Sequence, residues 1–172
     1  MNINIFFLSI FFGLMVIFFL FKPLDLKQQN FVDVPLFELK QFTLHEINAF
    51  GLTTLMTGNQ ATKYSNRYVV ENMDYTDNSK KYLANMKAEH GVYKDDIIDL
   101  DGSIVYVRED GLTFETEKAE YNKKTNIVST DTKYRAFRGV SIATGDSLKY
   151  YNVLDKIEST NVVVNYKLGE KI

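Results

Sequence analysis

The sequence predicts an all-β domain behind one apolar N-terminal helix, and three observations carry that prediction. Alternating apolar and polar residues recur in short runs after residue 36. Turn-forming clusters separate the runs. The first charged side chain in the chain is Lys22. Short strands punctuated every eight to twelve residues indicate a sandwich, roll or barrel.

The first element is the run 1–21, which is uncharged and holds seven of the thirteen Phe. As a helix it spans about 31 Å at 1.5 Å per residue, enough for the ~30 Å hydrocarbon core of a bilayer. A cleaved secretory signal would need a basic start, a shorter apolar core and small residues at its end. Residues 1–4 carry no basic side chain, and Phe21-Lys22-Pro23-Leu24-Asp25 offers no small residue. Phe residues fall on every helical face, as lipid exposure allows and a buried core helix does not require. Ser9 and Gly13, four residues apart, are the candidate contact for a neighbouring helix. Flanking charge does not set the orientation, because Lys22, Lys27 and Lys40 are offset by Asp25, Asp33 and Glu38.

Residues 22–35, with both prolines and Lys27-Gln28-Gln29-Asn30, read as a polar linker, and 36–172 as one domain with room for a core. The chain has no cysteine, so neither a disulfide framework nor a thiolate metal site is available. Its 20 basic and 22 acidic residues are mixed along the sequence. Nucleic-acid binding would need a clustered basic stripe, so no nucleic-acid partner is expected.

Within the domain, a strand is expected from Leu36 to Leu44, in competition with a helical turn over 43–50, where Leu44, Ile47 and Phe50 have helical spacing behind Thr43 and Glu46. All eleven Tyr lie beyond residue 60 among Val, Ile and Thr, which is strand composition. Leu112, Phe114 and Thr116 alternate with Thr113, Glu115 and Glu117. Val140, Ile142 and Thr144 form a further alternating run, and Val162, Val164 and Tyr166 another. Turns are expected at Asp77-Asn78-Ser79, Asp101-Gly102, Asp110-Gly111, Asn122-Lys123-Lys124 and Thr144-Gly145-Asp146.

A rhythm of thirty residues runs through these strands. Ile97, Ile127 and Ile157 keep it, as do Asp101, Asp131 and Asn161, and Ile104, Tyr134 and Val164. The period fits either one supersecondary unit stacked on the next or similar hairpins recurring by chance. Strand layers in series leave two edges, which invite strand addition unless a tail covers them. The candidate edges are Leu36, Leu39 and Leu44 at the start and Val162, Val164 and Tyr166 at the end.

Several signals point elsewhere and fail on spacing. Asp99-Leu100-Asp101-Gly102 resembles part of a calcium loop, but Ile97 and Arg108 then occupy its first and last ligand positions. His45 and His90 have no second His, Cys or nucleophile at useful spacing, so no metal site and no triad is expected. Glu115 and Glu117 share a strand face that alternation assigns to solvent, which argues against glycosidase chemistry. Neither a catalytic group nor a cofactor is expected.

Three stretches then resemble the LptC family and the related OstA-like domains. One is Phe42-Thr43-Leu44-His45-Glu46, Gly51 and Ala61-Thr62-Lys63-Tyr64. The second is Gly111-Leu112-Thr113-Phe114-Glu115-Thr116, Ala119-Glu120-Tyr121 and Ile127-Val128-Ser129-Thr130-Asp131. The third is Asp146-Ser147-Leu148-Lys149-Tyr150 with Ile157. The resemblance covers about residues 3–167. It implies a transmembrane helix over 1–21 and a twisted, open antiparallel β-jellyroll over 36–172 with exposed edge strands. The protein would be a bitopic inner-membrane component, with its β domain in the periplasm. Its role would be to receive lipopolysaccharide from an ABC transporter with LptF/LptG-like subunits and pass it to an LptA-like bridge. The runner-up is a membrane-tethered β scaffold without lipid binding.

Under this resemblance Phe114, Tyr134, Ala136, Ile142, Tyr150 and Val164 are the candidate lipid-lining side chains. Acyl burial, at about 25 cal/mol per Å² of apolar surface, would supply the affinity. A dry, closed core demands the same alternation.

Overall fold

The computed structural model describes residues 3–20, 33–49 and 51–166. Two compact units follow, 1–30 and 31–172.

The first unit holds one helix, α1, Ile3–Leu20. Its 18 residues are apolar on all sides, and its described side chains are exposed. At 1.5 Å per residue it is about 27 Å long, just under a ~30 Å hydrocarbon core. Among the described residues no helix is long and apolar enough to cross a membrane. The run expected to span includes Met1, Asn2 and Phe21, which lie outside the described residues.

The second unit is built from twelve antiparallel strands in one continuous sheet. They are β1 Phe37–Asn48, β2 Gly51–Lys63, β3 Tyr68–Asp77, β4 Ala84–Lys94, β5 Ile97–Arg108, β6 Leu112–Asn122, β7 Ile127–Thr130, β8 Tyr134–Arg138, β9 Ser141–Gly145, β10 Ser147–Tyr151, β11 Lys156–Thr160 and β12 Val163–Asn165. β1 to β6 pair in sequence order. β6 then divides its free side. Its first half pairs β8, which continues to β9 and β12, and its second half pairs β7, which continues to β10 and β11.

This division extends back across the whole sheet as a line of corners. Left-handed backbone occurs mid-strand at Gln41 (φ 48°), Asn72 (φ 49°) and Ser103 (φ 45°), and at Asn161 (φ 51°) between β11 and β12. Pairing skips or shifts at the same level, between Lys87 and His90 on β4 and between Asp101 and Ile104 on β5. Such bulges bend a strand sharply. Every long strand therefore contributes one half to each of two leaves joined along a seam, as in an open jellyroll.

The thirty-residue rhythm is the unit of this construction. The strands that start the first leaf begin at Phe37, Tyr68, Ile97, Ile127 and Lys156, spaced 31, 29, 30 and 29 residues apart. Asp101-Gly102, expected as a hairpin turn, is a corner inside β5, with Gly102 at φ 81° beside Ser103. Likewise Thr144-Gly145-Asp146 is the corner between β9 and β10. The helical turn competing over 43–50 is not formed. β1 runs through Asn48, with Leu44 paired to Met56 and Ile47 to Leu52; Phe50 lies outside the described residues.

Burial concentrates at the seam. Among the described residues the buried apolar side chains are Met73, Ala84, Ala88, Leu100, Ile104 and Tyr134, with Ile104 at 2% exposure. Met73, Ala88, Leu100 and Ile104 form one cluster, flanked by Met56, Val70, Tyr75, Met86, Ile98 and Ala119. Where β6 divides, the Thr116 hydroxyl lies 3.1 Å from that of Thr130 and 2.9 Å from that of Thr132. These hydroxyls satisfy one another and nearby carbonyls where the ladder bonds change partner. Among the described residues no buried side-chain polar atom is left without a partner.

Candidate functional site

Strand register assigns the interior face residue by residue. In the second leaf, cross-strand pairing links Leu44, Met56, Tyr75, Met86, Tyr106, Phe114, Ala136, Ala143 and Val164 in one row from β1 to β12. Every member is apolar or aromatic. In the first leaf a matching row starts at Leu39, Ala61, Val70 and Gly91 and continues through Leu100 and Ala119. Two further rows flank these, one holding Ile104, Thr116 and Tyr134 at the seam, the other Tyr68, Tyr93, Tyr121 and Tyr150 near the open end. Cross-strand pairs of this kind are the unit of sheet packing.

Small residues sit opposite large ones along these rows. A Cβ on Gly145 would meet the Tyr134 ring at 2.6 Å, one on Gly58 the Phe42 ring at 2.7 Å, and one on Gly91 the Leu100 side chain at 3.3 Å. Tyr134 stacks on Phe114 with ring centroids 5.5 Å apart, and its hydroxyl lies 2.9 Å from the Ser159 hydroxyl. The two leaves meet through that last contact.

Away from the seam the rows stay open. Few of their side chains are buried, and both ends are exposed: Phe37 and Leu44 are 48% and 55% exposed on β1, Ile157 and Val164 62% and 60% on β11 and β12. Among the described residues β1 pairs only β2, β11 only β10, and β12 only β9, so there each leaf has a free edge at either end.

Two lips bound the open end. On the first leaf the tyrosines are anchored by the turn that follows each. The Tyr93 hydroxyl donates to Asp96 Oδ1 at 3.1 Å, that of Tyr121 to Asn126 Oδ1 at 3.0 Å, and that of Tyr150 to Asp155 Oδ1 at 3.0 Å. All three acceptors have left-handed backbone, φ 65°, 55° and 49°, which Asp and Asn tolerate better than most residues. Burial pushes the Tyr150 hydroxyl above the ordinary phenol value, and the Asp155 bond and charge add to it. The hydrogen bond to Asp96 does the same for Tyr93. Tyr93 and Tyr150 therefore stay neutral, and all three side chains set apolar rings inward and polar tips at the rim.

The second lip is charged. Arg108 binds Asp110 through Nε and Nη2, both at 2.7 Å, and Arg138 donates from Nε to the Asp110 carbonyl at 3.1 Å, with Nη2 3.4 Å from its carboxylate. The hydrogen bond from Arg108, with the Leu112 N–H and the charges of both arginines, holds the Asp110 carboxyl at about 2. Burial pushes the Tyr75 hydroxyl up, and Asp77 and Glu46, which stand further along the same lip, add to it.

Phe114, Tyr134, Ala136, Tyr150 and Val164 thus share the interior face. Ile142 does not. The turn at Gly139-Val140 sets Ile142 opposite Phe137, whose strand parity is that of Arg135, and Arg135 faces outward to Glu115 at 3.7 Å. Alternation assigns Ile142 a period but no face. Leu39 and Leu44 lie on β1, while Leu36 precedes it and donates its N–H to Lys63 O at 2.7 Å. At the other end Val164 lies within β12, and Val162 and Tyr166 flank it. The tail at 167–172 that could cover this edge lies outside the described residues, as does the Ser9 side chain. Gly13 has open space around its Cβ position.

The outer face is solvated and paired by charge. His90 Nδ1 lies 2.9 Å from Glu71, Lys87 Nζ 3.1 Å from Asp74, and Lys118 Nζ 3.0 Å from Asp101. Two depressions, of about 640 and 800 Å³, are lined by charges of both signs; the first also takes in Ile104 and Tyr134 of the seam row, and the second Leu100 and Ala119 of the first leaf. Glu115 serves its outward pair with Arg135, and Glu117 accepts the Ser103 N–H at 3.3 Å. Among the described residues no three His, Asp or Glu side chains gather as metal ligands.

Sequence reasoning missed the tyrosine anchors and the Arg108–Asp110–Arg138 group. The first had a signal in the sequence, a Tyr followed within five residues by a turn Asp or Asn, three times at intervals near thirty. In the second, Arg108 and Asp110 stand two residues apart at a turn that the sequence marks, but Arg138 joins them only through the register between β6 and β8.

No curated protein matches the chain. Residues 7–166, nearly its whole length, match the family described as lipopolysaccharide-assembly, LptC-related. The chain belongs to the LptC family, and with it to lipopolysaccharide transport.

Proposed function

We propose that this protein is a membrane-anchored lipid relay: it receives lipopolysaccharide from an inner-membrane ABC transporter and passes it to a periplasmic β-jellyroll bridge. The observation that carries the reading is the apolar row from Leu44 to Val164, which crosses the second leaf from β1 to β12 and ends exposed at both edges. A core built only for stability would close over such a row. An acyl chain needs a continuous apolar wall that stays accessible, and the seam supplies the rigidity that the open interior lacks.

In this reading the helix anchors the protein in the inner membrane and the β domain lies in the periplasm. Leu39 and Leu44 on β1 face the transporter's LptF/LptG-like subunits, and Val164 on β12 faces the LptA-like bridge. Ser9 and Gly13 would meet a transporter helix. The chain is a passive conduit, not an enzyme, and the transporter supplies the energy.

Photo-crosslinking amino acids at Phe114, Tyr150 and Ile142 in the assembled machine test this. Lipid adducts at Phe114 and Tyr150, with none at the outward Ile142, are expected. Absence of adducts at every inward position, with transport intact, would leave a scaffold that holds no lipid.

A further inference from the structure

The charged lip has two signs, and they are segregated along it. Glu46 on β1 and Asp77 on β3 stand at one end; Arg108 on β5 and Arg138 on β8 stand at the other. Strand parity aims both arginines the same way as the apolar row, since Arg108 follows Tyr106 by two residues and Arg138 follows Ala136 by two. Leu112, paired with Arg138, lies between them.

Two guanidiniums share the one carboxylate of Asp110, which is ionised at any physiological pH. One positive charge is therefore left over. Asp110 uses the Nε and Nη2 edges of Arg108 and the Nε and Nη2 of Arg138. The Arg108 guanidinium also lies 4.9 Å from the centre of the Tyr82 ring, but among the described residues neither Nη1 has a hydrogen-bond partner, so donors remain. Arg138 is also accessible, its side chain 63% exposed. A planar fork with spare N–H groups beside an apolar wall suits a tetrahedral oxyanion on an amphipathic molecule.

We propose that Arg108 and Arg138 form a phosphate-binding site on the lip of the groove, which takes the phosphate of an acylated glycolipid while its chains lie against Phe114 and Ala136. The inference rests on the relay reading and adds a head-group position to it. Arg138 is the adaptable member, and Arg108, clamped by Asp110, positions it. Because Glu46 and Asp77 occupy the β1 to β3 end of the lip, a phosphate is disfavoured there and favoured toward β8 and β9. The head group would thus settle on the side that leads to the C-terminal edge.

The test uses purified full-length protein in detergent and two fluorescent lipids, an acylated disaccharide bisphosphate and the same disaccharide with both phosphates removed, with binding read by anisotropy. Wild type should prefer the bisphosphate about five- to tenfold, the scale of a part-exposed charge-assisted contact. Arg138→Gln should bring that ratio near one. Asp110→Asn, which frees both guanidiniums, should raise it, so the two variants move the ratio in opposite directions. Equal affinity of wild type for the two lipids, with no stabilisation by inorganic phosphate, would overturn the phosphate site and leave the relay standing. Binding of neither lipid would overturn both. Protection from thermal unfolding by millimolar inorganic phosphate alone, lost in Arg138→Gln, with no preference between the lipids, would reassign the site to free phosphate.

Discussion

Truncating one side chain at the seam and one on the open wall should separate a groove from a closed core. Ile104 is 2% exposed and packs with Met73, Ala88 and Leu100, so Ile104→Ala leaves a cavity between leaves that cannot collapse. Its cost should be about 3 kcal/mol, within the usual range for such changes. Phe114→Ala removes about twice as many carbons, and in a closed core it would cost roughly 3–5 kcal/mol. Here the ring is only partly covered, so about half of a burial worth about 1.5–3 kcal/mol is at stake, together with about 0.5–1 kcal/mol for its stack on Tyr134. A cost near 2 kcal/mol follows, and the larger truncation should be the milder. Urea unfolding of the full-length protein in detergent, read by far-ultraviolet circular dichroism because the chain has no Trp, gives both values. If Phe114→Ala costs as much as Ile104→Ala or more, the interior is a closed core and not a groove.

Three other outcomes are expected. Thr116→Val keeps the shape but strips the hydroxyl shared by Thr130 and Thr132, and should cost about 1–2 kcal/mol, seen as a thermal midpoint roughly 2–8 °C lower; an unchanged midpoint would remove the threonine group from the account of the seam. The Asp110 carboxyl falls from its ordinary 3.8 to about 2 in the folded protein, so its contribution is complete above about pH 4 and is lost as pH falls toward 2. Thermal unfolding between pH 5 and 2 should accordingly show a steeper loss for wild type than for Asp110→Asn, and parallel curves would refute it. Val164→Arg puts a charge on the exposed end of the apolar row and should abolish pull-down of the bridge protein while leaving membrane insertion intact; retained binding would rule out this edge.

What the sequence revealed and what it hid divide along a physical line. The period was legible because each pair of hairpins repeats the same local chemistry, so Ile97 and Ile127 start equivalent strands and Ile157 falls one residue into its own. The corners were in view as well, at Asp101, Asp131 and Asn161, but Asp-Gly looks the same whether the chain reverses or only bends. Only the ladder on both sides of Gly102 tells them apart. Face assignment failed at Ile142 for a related reason. Parity carries along a strand but is reset by each turn, and the two residues between Arg138 and Ser141 decide it. The arginine lip required β6 and β8 to be neighbours, a long-range pairing that no local pattern encodes.

The corners also constrain what can extend this sheet. β1 passes without interruption from one leaf to the other, bending at Gln41, so a strand added along it gains pairing on both leaves only if it bends at the same level. A flat strand would satisfy residues 37–40 or residues 42–48, and leave the rest of the edge unpaired. At the far edge the requirement is stricter, since β11 and β12 are already separate pieces on either side of Asn161. A second open jellyroll, with its own corners in step, meets both conditions and continues the apolar row past Val164. In the relay proposed above, strand addition by such a partner would extend the groove in the same act that forms the contact, so that an edge and a lipid path would be one structure.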